Sequence, residues 1–292
     1  MNTGYKIKSE LSEAQIEADV ASYLGYITPF WSKRFRLISI DEQTTGSDKL
    51  FNRFVPIYLQ FKVSEGLKPL DFGFNLLRKS GLQKIRAFRR KNDINSDPTL
   101  YFKLRDQAPT ARDFQHNILK SFHQPPYQYA MYVAPLTLSL DEYNKSLEVS
   151  FIDRFLTFNP FFFRNQDIEM AAMKQSLGIN PFLRGHISIP PHEIVDTSNH
   201  YYSFSRSGGD LAWHSGEKLN DDLRLSNQIK KIFQIAYRNK DVGHNKATYI
   251  QFISQYFDSV EKVDNPIDII EDFSYYLKNT FNIKLLFLHI DD

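Results

Sequence analysis

The sequence predicts an α/β protein with a largely helical C-terminal half. Strand-like and helix-like patterns alternate from residue 13 to residue 134, and three helix-like patterns dominate from about residue 220 onward. The chain has 292 residues, of which 42% are apolar, which is ordinary for a globular protein with a sizeable core. We expect two domains, residues 1–145 and residues 146–292, with the second serving recognition, regulation or oligomerisation.

Composition restricts the cellular setting and the kinds of site. The formal net charge is only +2 and there is no cysteine, which excludes disulfides and zinc sites built on thiolates. The first thirteen residues lack the apolar stretch of a signal peptide, and no run approaches the ~20 apolar residues that a membrane span needs. We therefore expect a soluble, cytoplasmic protein with no membrane partner.

The N-terminal elements follow from local patterns. Ser12 and Gln15 have the spacing of a capping box, and apolar residues at four-residue intervals predict a helix over residues 13–24. Strands are predicted over residues 35–41, 48–54 and 57–63.

The later elements follow in the same way. A basic helix over residues 81–91 precedes a strand (99–104), a helix (112–122) and a second strand (129–134), an order that suggests a parallel crossover. Helices are predicted over residues 221–237 and 246–257. A third begins at Asn265-Pro266 and ends near residue 279, before a last strand over residues 283–290.

The strand over residues 57–63 has two unlike faces, because side chains alternate along a strand. One face is apolar and consists of Ile57, Leu59, Phe61 and Val63. The opposite face carries Gln60 and Lys62, so it is either exposed to solvent or lines a site.

The first helix carries two acids on its apolar stripe. At about 100° per residue, Glu13 and Glu17 fall beside Ile16 and Val20, whereas Asp19 falls toward solvent. Buried acids are costly unless they are paired or bind metal, so a cation site that includes Asp48 could supply their partner. Alternatively, Glu13 is a favourable first-turn acid and Glu17 lies at the rim.

These residues together favour metal-dependent hydrolysis of a phosphodiester. Asp48 would be the main Mg²⁺ ligand, and Gln60 would offer its amide oxygen or a neighbouring backbone carbonyl. Lys62 would hold or deprotonate the attacking water, or stabilise the phosphate. Glu17, with Glu13 as the alternate, would bind the metal through water or orient Lys62. Such an ion offsets phosphate charge and activates water.

The spacing resembles a known superfamily. Gly46-Ser47-Asp48, eleven intervening residues and then Gln60-Phe61-Lys62 resemble the PD-(D/E)xK nucleases, and most of all their Mrr-like branch. Residues 41–48 are similar to nuclease domains of bacterial anti-phage defence systems, and Ser12-Glu13 with Ile16 resembles the opening helix of the superfamily. The resemblance covers roughly residues 10–135. It implies a restriction-endonuclease-like mixed sheet flanked by helices, Mg²⁺ or Mn²⁺ as cofactor, and DNA as substrate.

One departure from the superfamily pattern concerns the second motif position. Gln60 stands where glutamate or aspartate is usual, so the metal site has one carboxylate fewer. This leaves open a nuclease with weak metal affinity or a domain that has lost catalysis.

The basic helix offers candidate DNA contacts. Seven basic residues and no acid occur in residues 78–91, and an aromatic residue lies between the cations. If the nuclease interpretation holds, phosphate contacts are expected from Lys84, Arg86, Arg89 and Arg90. The alternative is a helix face that is merely solvated.

Other sequence features are weaker. His186, His192, His200 and His214 do not have the spacing of a zinc motif, so loop or packing roles are favoured, with His200 or His214 as alternative contacts to nucleic acid or a partner. Residues 207–210 predict a hairpin turn rather than a phosphate-binding loop.

Three function hypotheses remain from the sequence. The first is a Mg²⁺-dependent DNA endonuclease of an anti-phage system, acting as a homo-oligomer or with a defence-system partner protein. The second is an inactive nuclease-fold module that binds nucleic acid or a partner. The third is an interaction protein whose interface is formed by its many aromatic residues and its C-terminal half.

Overall fold

The computed structural model shows a mixed α/β protein with two β-sheets. It describes residues 5–27, 35–39, 52–69, 81–94, 96–109, 111–148, 181–214, 217–219, 223–257 and 266–290. No helix in these ranges is long and apolar enough to cross a membrane.

The helices are numbered in chain order. They are α1 (Glu13–Ile27), α2 (Gly81–Lys91), α3 (Gln115–Ser121), α4 (Leu140–Leu147), α5 (Pro181–Arg184), α6 (Leu225–Arg238), α7 (Lys246–Ile253) and α8 (Pro266–Tyr276). A π-helical turn, Leu277–Phe281, continues directly from α8.

The strands are short, and most are buried. They are β1 (Lys6–Ile7), β2 (Phe35–Ser39), β3 (Phe54–Phe61), β4 (Glu65–Leu67), β5 (Thr99–Lys103), β6 (Tyr129–Pro135), β7 (His186–Ile189), β8 (Tyr201–Phe204), β9 (Leu211–Trp213), β10 (Glu217–Leu219) and β11 (Lys284–Ile290).

The five-stranded sheet positions the predicted motif. Its order is β2-β11-β3-β6-β7, with β3 and β6 parallel and the other pairs antiparallel. The final strand β11 lies in the interior of this sheet, where Lys284 is opposite Leu59 of β3. The chain segment that enters β11 is therefore brought to the carboxyl end of β3.

The six-stranded sheet is antiparallel throughout, in the order β1-β4-β5-β8-β9-β10. It corrects one prediction, because β5 and β6 belong to different sheets and do not form a parallel crossover. The parallel pair is β3 with β6. The turn predicted at residues 207–210 does join an antiparallel pair, β8 and β9.

The predicted domain boundary at residue 145 does not separate the two sheets. Strands β7 and β11 join the sheet that contains β3, and β8 to β10 extend the sheet that contains β5. Both hydrogen-bonded sheets therefore combine strands from the two halves of the chain. The C-terminal half is correspondingly mixed, with five strands among its described residues.

Local predictions of element type are mostly confirmed. The basic helix has the predicted bounds, and the helix over 13–24 is confirmed and extends to Ile27. Ser12 Oγ accepts a hydrogen bond from the Gln15 backbone at 3.2 Å, although the Gln15 side chain donates to Asp19 rather than back to Ser12. Of the strand predicted over residues 48–54, the part before residue 52 lies outside the described residues.

The two faces of β3 pack in separate hydrophobic cores. Ile57, Leu59 and Phe61 share a core with the apolar stripe of α1, as the alternation predicts. Tyr58 points to the other core, where its hydroxyl lies 2.9 Å from that of Tyr249 and its ring stacks on Phe122. Gln60 and Lys62 therefore occur at alternate positions after Tyr58, on the face away from α1.

Candidate functional site

Gln60 and Lys62 lie at the carboxyl end of β3. Gln60 is opposite Tyr132 of the parallel strand β6, and the Lys62 backbone N–H donates to Val133 O at 2.9 Å, so the ladder continues past the last residue of β3. Gln60 is fully buried and Lys62 is 5% exposed. The polar face predicted from sequence alternation is thus buried and is not a solvated surface.

The Gln60 amide has no hydrogen-bond partner among the described residues. Neither its oxygen nor its nitrogen is bonded to any residue that the structure describes. Leaving a buried amide unpaired costs about 1–3 kcal/mol, so such a group calls for an explanation. A ligand at this end of the strand would supply one.

Lys62 is a buried ammonium that no described residue hydrogen-bonds. Burial lowers its pKa to about 8, the nearby Glu13 carboxylate raises the pKa in part, and Arg105 lowers it further. Near neutral pH, Lys62 is therefore mostly protonated, and its deprotonation needs little free energy. A group that exchanges protons with water must have this property.

The two acids of α1 reach the same end of β3. Glu13 is the carboxylate that acts on Lys62, and its Oε2 accepts a hydrogen bond from Asn282 Nδ2 at 3.3 Å. Glu17 forms an ion pair with Lys278, and its side chain is 15% exposed. Acids on the apolar stripe of α1 were expected to need partners, and the segment before β11 supplies them through Asn282 and Lys278.

Asp48, the predicted main metal ligand, lies outside the described residues. Of the five predicted catalytic residues, Glu13 interacts electrostatically with Lys62 and is linked to Glu17 through Asn282 and Lys278, while Gln60 lies two residues before Lys62 on the same strand face. These oxygen donors fit a hard divalent cation, since Gln60 offers an unpaired buried amide oxygen and each glutamate has one oxygen outside its present contact.

Lys278 and Asn282 were missed by sequence reasoning. They occur in no motif, and Lys278 lies 261 residues from its partner Glu17. The only local signal is their four-residue separation, which allows the Lys278 ammonium to donate to Asn282 Oδ1 at 2.9 Å.

The basic helix requires a correction. Arg89 is 1% exposed and its guanidinium is directed inward, where it pairs with Asp210 and donates to Ser203 Oγ at 3.1 Å. Arg86 is also buried, donates to Pro69 O and lies 5.4 Å from the Tyr5 ring centre. Neither is placed to contact a phosphate.

Two of the predicted DNA contacts remain on the surface. Lys84 and Arg90 are exposed on α2. Because Arg86 and Arg89 are used in internal contacts, α2 presents a much weaker positive surface than its sequence suggests.

His214 is part of the same internal network. Its Nε2 lies 2.5 Å from Ser203 Oγ, and burial, with a further contribution from Arg89, lowers its pKa to about 3. His214 is therefore neutral near pH 7 and packs against Phe88, in agreement with the favoured packing role.

A separate cluster of potential metal ligands lies on the surface. His192, Glu193 and Glu217 have donor atoms within 4.8 Å of one another, and His192 Nε2 is 2.8 Å from Glu217 Oε2. Both glutamates are exposed, and the contact between His192 and Glu217 is an ordinary surface pair.

Comparisons with known proteins give no assignment: no family model, curated protein or solved structure shows a significant match to this chain.

Proposed function

We propose that the protein is a metal-dependent nuclease that hydrolyses phosphodiester bonds of DNA, with a restriction-endonuclease-like arrangement around β3. The single observation that carries this proposal is the buried, unpaired amide of Gln60 beside the buried ammonium of Lys62. Two costly polar groups at one strand end are typical of a site whose ligand compensates their burial.

Three side chains would hold the metal ion, which the proposal takes to be Mg²⁺ or Mn²⁺. Gln60 would contribute its amide oxygen, Asp48 its carboxylate, and Glu17 or Glu13 a second carboxylate. When bound, such an ion offsets the charge of the phosphate and makes water more acidic.

Lys62 performs the proton chemistry in this proposal. With a pKa lowered to about 8, its neutral form is accessible near pH 7, and that form can accept a proton from the attacking water. Its protonated form instead places positive charge beside the phosphate. Glu13, which acts on Lys62 electrostatically, keeps the ammonium form accessible.

DNA would approach from the exposed side of this strand end. Arg105 is exposed and close enough to Lys62 to affect its pKa, which gives the site a cation for the phosphate backbone. Lys84 and Arg90 remain as more distant candidates. A homo-oligomer would supply one site for each DNA strand, and a role as an anti-phage effector with a partner protein completes the proposal.

A cleavage assay tests the proposal. Purified protein is incubated with plasmid, linear and single-stranded DNA and with RNA, in Mg²⁺, Mn²⁺ or EDTA. We expect DNA cleavage that requires the metal and is lost in Asp48→Ala and Lys62→Ala, with both variants still folded. Lys145→Ala is a control on the exposed surface of α4 and should retain activity. Full activity in either site variant would overturn the assignment.

A second candidate function is an inactive nuclease fold that binds nucleic acid. One observation favours it: Glu13 and Glu17 are already engaged by Asn282 and Lys278. This alternative predicts DNA binding that weakens steeply with salt, no cleavage, and no heat of binding when metal is titrated into the protein.

A further inference from the structure

The segment before β11 has an unusual backbone at the candidate site. Residues Leu277–Phe281 form a π-helical turn, and Asn282, which ends it, has φ +53° in the left-handed region. π-Helical turns are rare and frequently occur at functional sites, and a non-glycine residue with positive φ is uncommon. This backbone brings the Lys278 and Asn282 side chains together.

The contacts of Asn282 fix the orientation of its amide. Its Oδ1 accepts from Lys278 Nζ at 2.9 Å and its Nδ2 donates to Glu13 Oε2 at 3.3 Å. An ammonium only donates and a carboxylate only accepts, so the flipped amide would lose both bonds. Asn282 therefore joins the two acids of α1 through one network, because Lys278 also binds Glu17.

Each carboxylate uses one oxygen in this network. Oε2 of Glu13 is bonded to Asn282, and Oε2 of Glu17 is bonded to Lys278. Within the described part of the chain, the hydrogen bonds of these two carboxylates involve Oε2 and leave Oε1 available. Carboxylates that bind metal are commonly held in this way by neighbouring donors, which fix their orientation.

We propose that Asn282 and Lys278 are positioning residues that set Glu13 and Glu17 for the metal ion. The inference rests on the proposed function. Glu13 acts on Lys62, which connects these acids to the strand end where the buried Gln60 amide has no partner among the described residues, and that amide is the independent indication of a ligand. This positioning role makes the C-terminal segment an integral part of the site rather than a separate recognition unit.

Asn282→Gly tests this inference cleanly. Glycine adopts positive φ without strain, so the turn should form at least as well, while the bonds to Glu13 and Lys278 are lost. Asp93 has nearly the same backbone, with φ +55°, and is exposed, so Asp93→Gly is the matched control. Both variants should unfold at or above the wild-type temperature.

The measurements are calorimetric titration of Mn²⁺ without DNA and steady-state cleavage of DNA. For Asn282→Gly we expect Mn²⁺ affinity and kcat each to fall by about 10- to 100-fold, with KM for DNA unchanged. Asp93→Gly should match the wild type, and Lys278→Arg should retain activity that Lys278→Met loses.

The outcomes separate the two proposals. Suppose that the wild type binds Mn²⁺ and cuts DNA, and that Asn282→Gly keeps the wild-type Mn²⁺ affinity. These results would overturn the positioning role and leave the proposed function intact. A rise in KM with kcat unchanged would also overturn the positioning role, since that result indicates a direct DNA contact. Wild-type protein that neither binds Mn²⁺ nor cuts DNA would overturn the proposed function and this inference with it.

Discussion

Gln60 and Gln128 are fully buried glutamines, and within the described ranges neither amide oxygen nor amide nitrogen of either residue is hydrogen-bonded. Gln60 lies beside Lys62, whereas Gln128 lies just before β6, at the amino end of that strand. In both, the folded state bears the desolvation cost of an unpaired amide. Gln60 differs in lying two residues before Lys62, a buried charged residue on the same face of the strand.

We predict that replacing either glutamine by methionine stabilises the protein. Methionine has a similar shape and no amide to desolvate, so each variant should gain about 1–3 kcal/mol of unfolding free energy. Only Gln60→Met should lose metal-dependent cleavage. Thermal unfolding in EDTA and a plasmid assay measure the two effects. A large loss of stability in Gln60→Met would show that its amide is satisfied in solution.

The protonation of Lys62 gives a pH-dependent prediction. Its pKa is lowered to about 8 in the folded protein, so between pH 8 and its unfolded value the unfolded chain binds more protons. The contribution of Lys62 to the unfolding free energy therefore rises with pH in that window, by up to about 1.4 kcal/mol per pH unit. Below pH 8, Lys62 is protonated in both the folded and the unfolded protein, so burial of its charge lowers the unfolding free energy by an amount that does not change with pH.

Lys62→Met isolates this contribution. Relative to wild type, the variant should be more stable below pH 8, and its advantage should shrink as the pH rises from 8 to 10. Denaturant unfolding in EDTA at several pH values measures the difference. A constant difference across that range would show that Lys62 keeps an ordinary pKa in the folded protein.

At the scale of elements, the start of β3 is joined to the end of α6. Arg53 donates to the carbonyl oxygens of Ala236 at 2.8 Å and Val242 at 3.1 Å, and also to that of Asn239. These carbonyls lie at or beyond the C-terminal end of α6, where a cation is favoured by the helix dipole.

We predict that Arg53→Met lowers the unfolding free energy by about 1.5–3 kcal/mol, because several carbonyls lose a charged donor. Arg238→Met removes an exposed cation in the last turn of the same helix and should change stability by less than about 0.5 kcal/mol. Denaturant unfolding compares the two. Equal effects would mean that general helix electrostatics, rather than the specific bonds of Arg53, stabilise this junction.

At the scale of the whole molecule, the two halves of the chain share their sheets. Strand β11 separates β2 from β3, so the sheet around the candidate site is incomplete without the last residues. We predict that a chain ending at residue 145 does not fold cooperatively. In that fragment β3 would lose its pairing with β11, and α1 would lose its contacts with Lys278 and Asn282. A sharp unfolding transition of that fragment, followed by circular dichroism, would contradict this account.

The success of sequence reasoning depended on how far apart the interacting residues are. The apolar stripe of α1 and the alternation along β3 are local patterns, and both are confirmed by the core that they share. The position of β11 could not be predicted, because its pairing with β3 joins segments separated by more than 200 residues.

The same reason explains the errors at the surface. Arg89 was expected to face DNA because the local sequence contains no acid, but its partner Asp210 is 121 residues away. Lys278 and Asn282 were missed because no local pattern marks a residue that acts through a distant carboxylate. The polar pair Gln60 and Lys62 was found because strand alternation alone places both on one face.

The central claim is that the carboxyl end of β3 binds a divalent metal ion. Calorimetric titration of Mn²⁺ into wild type, Gln60→Met and Gln128→Met tests it most directly, without DNA and without assuming cleavage. The account predicts binding by the wild type, unchanged binding by Gln128→Met, and an affinity at least about 10-fold weaker in Gln60→Met. No binding by the wild type, or equal binding by all three proteins, would contradict it.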